Sequence, residues 1–255
     1  MKYKTSTQGF ADASLLETLS PDIRPQKPGV GVNGHRARLR ARFLAGGADA
    51  VAEHELIEMV LFLALPRRDT KPIARSLLIR FGSYAGVISA GVADLLAVEG
   101  LGEAGATALK VVQAAALRLA KAEVLYKPVL NNWDRLMEYL QAVLAREKIE
   151  QFRVLFLDNR NRLLADEAQA RGTVDHTPVY PREVARRALE LEASAVILVH
   201  NHPSGDPSPS ADDLRMTKLV GEALGAVAVR LEDHVIIGNG RWLGFRREGF
   251  LEPPS

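Results

Sequence analysis

Cysteine is absent from all 255 residues. That absence excludes disulfides, thiolate-ligated zinc, iron–sulfur clusters and a cysteine nucleophile, so any metal must rest on His, Asp and Glu. No apolar run approaches the roughly 18 residues of a membrane span. The start from Met1 to Ser6 lacks the apolar stretch of a secretory signal, and the expected location is the cytoplasm, with no membrane partner. Surplus charge is also small, at a net +2. Residues 1–128 carry 17 Lys/Arg against 12 Asp/Glu and the remainder 16 against 19, so the front is basic and the back acidic. A surplus of this size permits nucleic-acid binding without requiring it. What the chain does have is bulk: 47% hydrophobic and 25% charged residues suffice for one large or two modest cores.

Residues 1–34 mix Ser, Thr, Gly, Pro and charge around Leu15, Leu16 and Leu19, and Pro21, Pro25 and Pro28 forbid a long helix, which reads as a flexible tail. From 35 to 128 the apolar spacing is helical. Arg36, Arg38, Arg40 and Arg42 would be spread around such a cylinder rather than gathered into one basic face. Gly100 and Gly102 fall between two helical patterns, where a tight turn needs positive φ, and this is the signature of a helix–hairpin–helix. Such a turn aims backbone N–H groups at a phosphate, so Gly100, Gly102 and the nearby Lys110 are candidate DNA contacts; Glu103 and Gly105, which stand at the turn without a cation, weaken that reading. Lys127-Pro128 closes the helical region. Beyond it, helix and strand alternate: a helix at 133–148, strands at 152–157 and 162–169, a helix at 181–191, a strand at 195–199, a helix at 210–224, and strands at 227–231 and 234–238. The expected organisation is a tail (1–34), a helical domain (35–128) and an α/β domain with a mixed sheet (129–252).

The chemistry is concentrated where the strand ending in Val199 runs into His200-Asn201-His202-Pro203. Alternate strand residues share a face, so the two imidazoles can converge. A helix starting at Ser210 puts Asp213 one turn in, within reach of the same point. Two imidazoles, one carboxylate and an open fourth position compose a catalytic zinc site. Taken alone, Ser210 and Asp213 also fit a helix capping box. His234 reads as a packing residue at a strand end, and the sequence assigns no role to His35, His54 and His176. Glu147, Glu150, Glu167 and Glu183 compete as the accompanying acid–base carboxylate.

His-x-His-Pro, six residues, then Ser-x-x-Asp matches the JAMM (JAB/MPN-plus) metalloprotease motif at His200, His202, Pro203, Ser210 and Asp213. With the flanking Val-Tyr-Pro-Arg-Glu-Val and Leu-Glu-Asp-His-Val-Ile-Ile-Gly, and Gly-Leu-Gly in the front half, the chain resembles the bacterial RadC family over about 35–252. The resemblance implies a JAB/MPN-type mixed-sheet domain behind an all-α helix–hairpin–helix domain, with one Zn2+ per chain held by His200, His202 and Asp213. It selects Glu150, through Glu-x-Phe before an apolar strand and Leu-Asp, as the general base and acid, and makes Ser210 the oxyanion stabiliser. The implied activity is hydrolysis of a peptide or isopeptide bond. Asn201 stands where JAMM deubiquitinases commonly carry a small hydroxylated residue, and the chain is too compact for ubiquitin-gripping insertions. Asp158, Asp212 and Asp233 are further candidates to support the ligands. Two other functions stay open at this point: a DNA-associated repair or recombination accessory protein that keeps the zinc fold as a scaffold, and a metal-dependent nucleic-acid hydrolase, for which a second set of metal ligands is missing.

Overall fold

A computed structural model describes residues 32–171 and 179–251. Most of the expected tail and His176 therefore lie outside the described residues. The chain divides into compact units at Val51/Ala52. Of the first, the structure describes helix α1 (Val32–Gly46), on which Arg38, Arg40 and Arg42 are exposed, and one 3-10 turn at Ala48–Ala50.

The second unit opens with helices α2 (Glu53–Ala64), α3 (Lys71–Phe81), α4 (Tyr84–Ser89), α5 (Val92–Leu96) and α6 (Gly102–Val124). Pro72, which needs no N–H partner, sits in the first turn of α3. Ile57, Leu61, Leu77, Val87, Leu95 and Leu109 interlock as a helical core. Gly100 and Gly102 take φ of 81° and 63°, the conformation for which the turn into α6 selects glycine. Among the described residues no helix is long and apolar enough to cross a membrane.

The boundary expected near 128/129 falls on a packed segment. Val124 at the end of α6 and Val129 are both buried in the core of the sheet region. Between them, Tyr126 N–H donates to Leu163 O at 2.8 Å and Leu163 N–H to Lys127 O at 3.2 Å.

The C-terminal region contains α7 (Trp133–Leu144), β1 (Gln151–Leu157), β2 (Leu163–Arg171), α8 (Pro181–Glu190), β3 (Ala195–Asn201), α9 (Ala211–Gly225), β4 (Arg230–Ile237) and β5 (Trp242–Gly244). Among the described residues the strands form one mixed sheet in the order β2-β1-β3-β4-β5. Only β3 and β4, joined through α9, run parallel. Alternation along the central strands creates two cores. Leu155, Leu157, Ile197, Val199 and Val235 pack with α7 on one face, while Phe152, Val154, Phe156, Val196 and Leu198 pack with α8 and α9 on the other. A sheet covered on both faces explains the unbroken apolar run of β3.

One expectation is corrected. Residues 227–238 do not hold two strands; Arg230–Ile237 is a single one. The polar Glu232-Asp233 pair sits at a register shift against Val196/Ile197, so a bulge rather than a turn accounts for the break in hydrophobicity.

Candidate metal centre

His200 lies at the end of β3, fully buried, and His202 directly follows the strand. Both belong to the face covered by α9, and Asp213 sits in the first turn of that helix. His200 Nε2 is 3.0 Å from His202 Nε2 and 3.1 Å from Asp213 Oδ1, while His202 Nε2 is 3.6 Å from Asp213 Oδ2. One ligand atom from each of the three residues falls within a 4.8 Å group.

The loop after His202 is tightly held. His202 N–H donates to Ile237 O at 3.0 Å, and Gly205, at φ 84°, donates back to His202 O at 2.9 Å. Gly238 passes so close beneath that a Cβ there would lie 2.3 Å from Gly205 O. The ring of His202 is oriented by its other nitrogen, since Nδ1 lies 2.8 Å from the Asp206 carbonyl, which can only accept. Nδ1 is therefore the N–H, and a neutral His202 turns a bare Nε2 toward His200 and Asp213.

The two readings of Ser210 and Asp213 hold together because the carboxylate has two oxygens. Oδ2 accepts from Ser210 N–H at 2.7 Å and from the Ser210 hydroxyl at 2.6 Å, and Asp213 N–H donates to Ser210 Oγ at 3.1 Å, a complete capping box. Oδ1 is left to face His200. Although burial opposes ionisation, bonds from His200, His202 and Ser210 outweigh it and hold the Asp213 carboxyl well below its usual range. The hydrogen bond with Asp213 also raises the His202 pKa, against desolvation, with help from the Asp206 carbonyl and the charge of Glu150.

These residues fit a zinc-type ion. Two imidazole nitrogens 3.0 Å apart can share at most one proton, and a carboxylate completes a nitrogen–oxygen donor set that a cation satisfies. Both rings also have their remote nitrogens engaged, as metal-ligating histidines do.

Glu150 immediately precedes β1. Phe152 pairs with His200 and its ring stacks on that imidazole at 5.9 Å, and the charge of Glu150, two residues earlier, acts on His202. The rival glutamates are placed elsewhere: Glu167 bonds Arg187 Nη2 at 2.6 Å, Glu183 pairs with Arg186 at 3.0 Å, and Glu147 contributes its backbone carbonyl to Asn201 at 3.3 Å. Asn201 points to the opposite face from the histidines. Its Oδ1 accepts from Gln151 N–H at 2.9 Å and its Nδ2 donates to Glu147 O and Ile149 O, both at 3.3 Å, clamping the segment that carries Glu150.

Three other acids bond groups outside the His200, His202 and Asp213 trio. Asp158 closes the β1–β2 turn on Arg160 and Arg162, about 20 Å along β1 from Phe152. Asp212 pairs with Arg215 at 2.5 Å, and Asp233 accepts from His234 N–H and Arg246 N–H. In the helical region Lys110 donates to Ile88 O at 3.3 Å and Ala90 O at 2.9 Å, and Gly100 O accepts from Arg68 at 3.0 Å.

Sequence reasoning missed two residues. His234 is fully buried on β4, and its Nε2 lies 2.8 Å from His200 Nδ1. Burial, reinforced by His200, lowers its pKa well below the ordinary value. Its Nδ1 lies 2.6 Å from the Thr217 hydroxyl. The available signals were a histidine inside an apolar strand and a threonine four residues after Asp213, hence on the same helix face.

A mixed α/β sheet whose His-x-His strand end meets an aspartate on the following helix defines a candidate metal-binding protein of the JAB type. The family described as RadC-like JAB domain matches residues 130–250. The chain is 58% identical over 213 residues to a UPF0758 protein of Rhodobacter capsulatus, covering 84% of this chain and all of the relative. It is 54% identical over 220 residues to a UPF0758 protein of Ruegeria pomeroyi, covering 86% of this chain and 98% of the relative. The chain belongs to the RadC family.

Proposed function

We propose that the protein is a zinc-dependent metallopeptidase or isopeptidase of the JAMM type, acting on an amide bond of a peptide or protein. The observation that carries this reading is the convergence of His200 Nε2, His202 Nε2 and Asp213 Oδ1 beside Glu150. His200, His202 and Asp213 would hold one ion per chain, with a coordination position left for solvent. When bound, zinc supplies Lewis acidity that brings the pKa of a water toward about 7.

The remaining chemistry belongs to the chain. Glu150, held by the segment that Asn201 clamps, takes the proton of the attacking water and delivers it to the leaving nitrogen, a contribution on the order of 10²–10⁴-fold. Ser210 keeps Asp213 Oδ1 aimed inward by occupying Oδ2. Its hydroxyl proton is engaged there, so stabilising an oxyanion requires that hydroxyl to rotate away from Asp213.

The test pairs metal analysis with turnover. Purified protein is expected to hold about one zinc per chain and His202→Ala none, while Glu150→Gln keeps the metal and loses cleavage in a screen of mixed peptides and isopeptide-linked proteins. Undiminished cleavage by Glu150→Gln, or no zinc in metal-replete wild type, overturns the reading.

A further inference from the structure

We propose that Thr217 and His234 are positioning residues of the metal centre, forming a directed hydrogen-bond relay that sets the tautomer of His200 and presents its Nε2 lone pair to the ion. The inference rests on the metal-centre reading for its purpose, while the order of protons follows from the geometry of neutral imidazoles.

The direction is set at the far end of the relay. A carbonyl oxygen only accepts, so the Thr217 hydroxyl must donate to Asp213 O, 2.5 Å away, in the bond helical threonines make to residue i−4. With its proton committed, Thr217 Oγ1 faces His234 Nδ1 at 2.6 Å as an acceptor, and Nδ1 is the N–H. A neutral imidazole carries one ring proton, so His234 Nε2 is bare and accepts from His200 Nδ1 at 2.8 Å. A neutral His200 then carries its lone pair on Nε2, the atom 3.1 Å from Asp213 Oδ1. His202 reaches the same state by a shorter route, through the Asp206 carbonyl.

The relay starts on one ligand and ends on the backbone of another. It runs from β3 through β4 to α9, so the three elements that carry or support ligands share one proton order. The aromatic rings of Phe152 at 5.9 Å and Phe245 at 4.4 Å enclose His234 and limit its rotation.

The experiment uses the full chain, stripped of metal and labelled with ¹⁵N-histidine. Long-range ¹H–¹⁵N correlation is expected to show His234 as the Nδ1–H tautomer. Thr217→Val keeps the side-chain shape but removes the acceptor. It is expected to abolish that preference and to weaken Zn2+ affinity, measured by chelator competition, by about 10–100-fold, with an unchanged far-UV CD spectrum. Thr217→Ser restores the hydroxyl and is expected to recover both readouts, which a merely space-filling role would not do. His234→Phe is expected to lose affinity similarly; should it fail to fold, the threonine pair still decides. His234 in the Nε2–H form, or Thr217→Val binding zinc as tightly as wild type, overturns the relay alone. Wild type that takes up no zinc overturns the metal-centre reading and the relay's role with it, even where the tautomer is as expected.

Discussion

Asn201 is the residue whose importance is most easily misjudged from its position between two ligands. Its side chain takes no part in holding a metal, because strand alternation turns it to the α7 face, where it makes three bonds to the segment leading into β1. Replacing it by Ala leaves the Gln151 N–H and the carbonyls of Glu147 and Ile149 short of partners, at a cost of about 1–3 kcal/mol. Asn201→Ala is expected to retain zinc but to lose at least about tenfold of the hydrolysis rate, since only Glu150 is set loose. Asp at 201 does not rescue, because it cannot donate to the two carbonyls; metal content and initial rates of both variants check this. Tyr139 gives a second residue-scale prediction. Burial first, and then the Asp166 carboxylate its hydroxyl bonds, push its pKa far above the usual range. A raised folded-state pKa means that its contribution to stability is whole below the unfolded value of about 10 and is lost as pH climbs through the folded value. Urea midpoints of wild type are therefore expected to fall above pH 10, and those of Tyr139→Phe to fall less.

At the scale of elements, the site depends on how two strand ends and one helix start are brought together. The His202 loop can lie on the end of β4 only because Gly238 has no side chain; a Cβ there meets backbone, which cannot rotate away. Gly238→Ala is expected to cost about 1–3 kcal/mol and to weaken zinc binding by lifting His202, as read by thermal unfolding with and without metal. The start of α9 is the complementary case. Ser210→Ala removes the cap and leaves Asp213 Oδ2 with the backbone N–H of residue 210 but no hydroxyl, so a stability loss of about 1 kcal/mol is expected together with weaker metal affinity. A substitution that only uncapped the helix would move the first quantity and leave the second.

For the whole molecule, the helical region and the sheet are joined by packed rather than loose chain. The 23-residue α6 begins in the helical core around Leu109 and ends with Val124 inside the core beneath the sheet. The segment after it pairs with Leu163, and Val129 N–H donates to Asn161 O at 2.9 Å. A fragment starting at residue 129 loses Val124 and the partners of Leu163, and is expected to be about 2–4 kcal/mol less stable than one starting at residue 119. Equal denaturation midpoints for the two fragments would show that the end of α6 is dispensable. Lys148, which follows α7, also reaches back to the helical region and pairs with Asp94 at 2.5 Å.

The elements around the site and the grouping of His200, His202 and Asp213 were legible in the sequence because their causes are local. Alternation sends His200 and His202 to one side, proline and glycine end the strand, and Ser210 starts a helix that brings in Asp213 a turn later. The choice of Glu150 among four glutamates needed the family resemblance, and the action of its charge on His202 needed the pairing of β1 with β3, a contact between residues about 50 apart in the chain. His234 and Thr217 were passed over for the same reason. Each looks like ordinary packing within its own strand or helix; His234 meets His200 only when β4 lies parallel to β3, and Thr217 meets His234 only when α9 packs on that sheet face. Local chemistry was thus written in the order of residues, while the hydrogen bonds that orient it depend on side chains drawn together from separate segments by burial of the sheet.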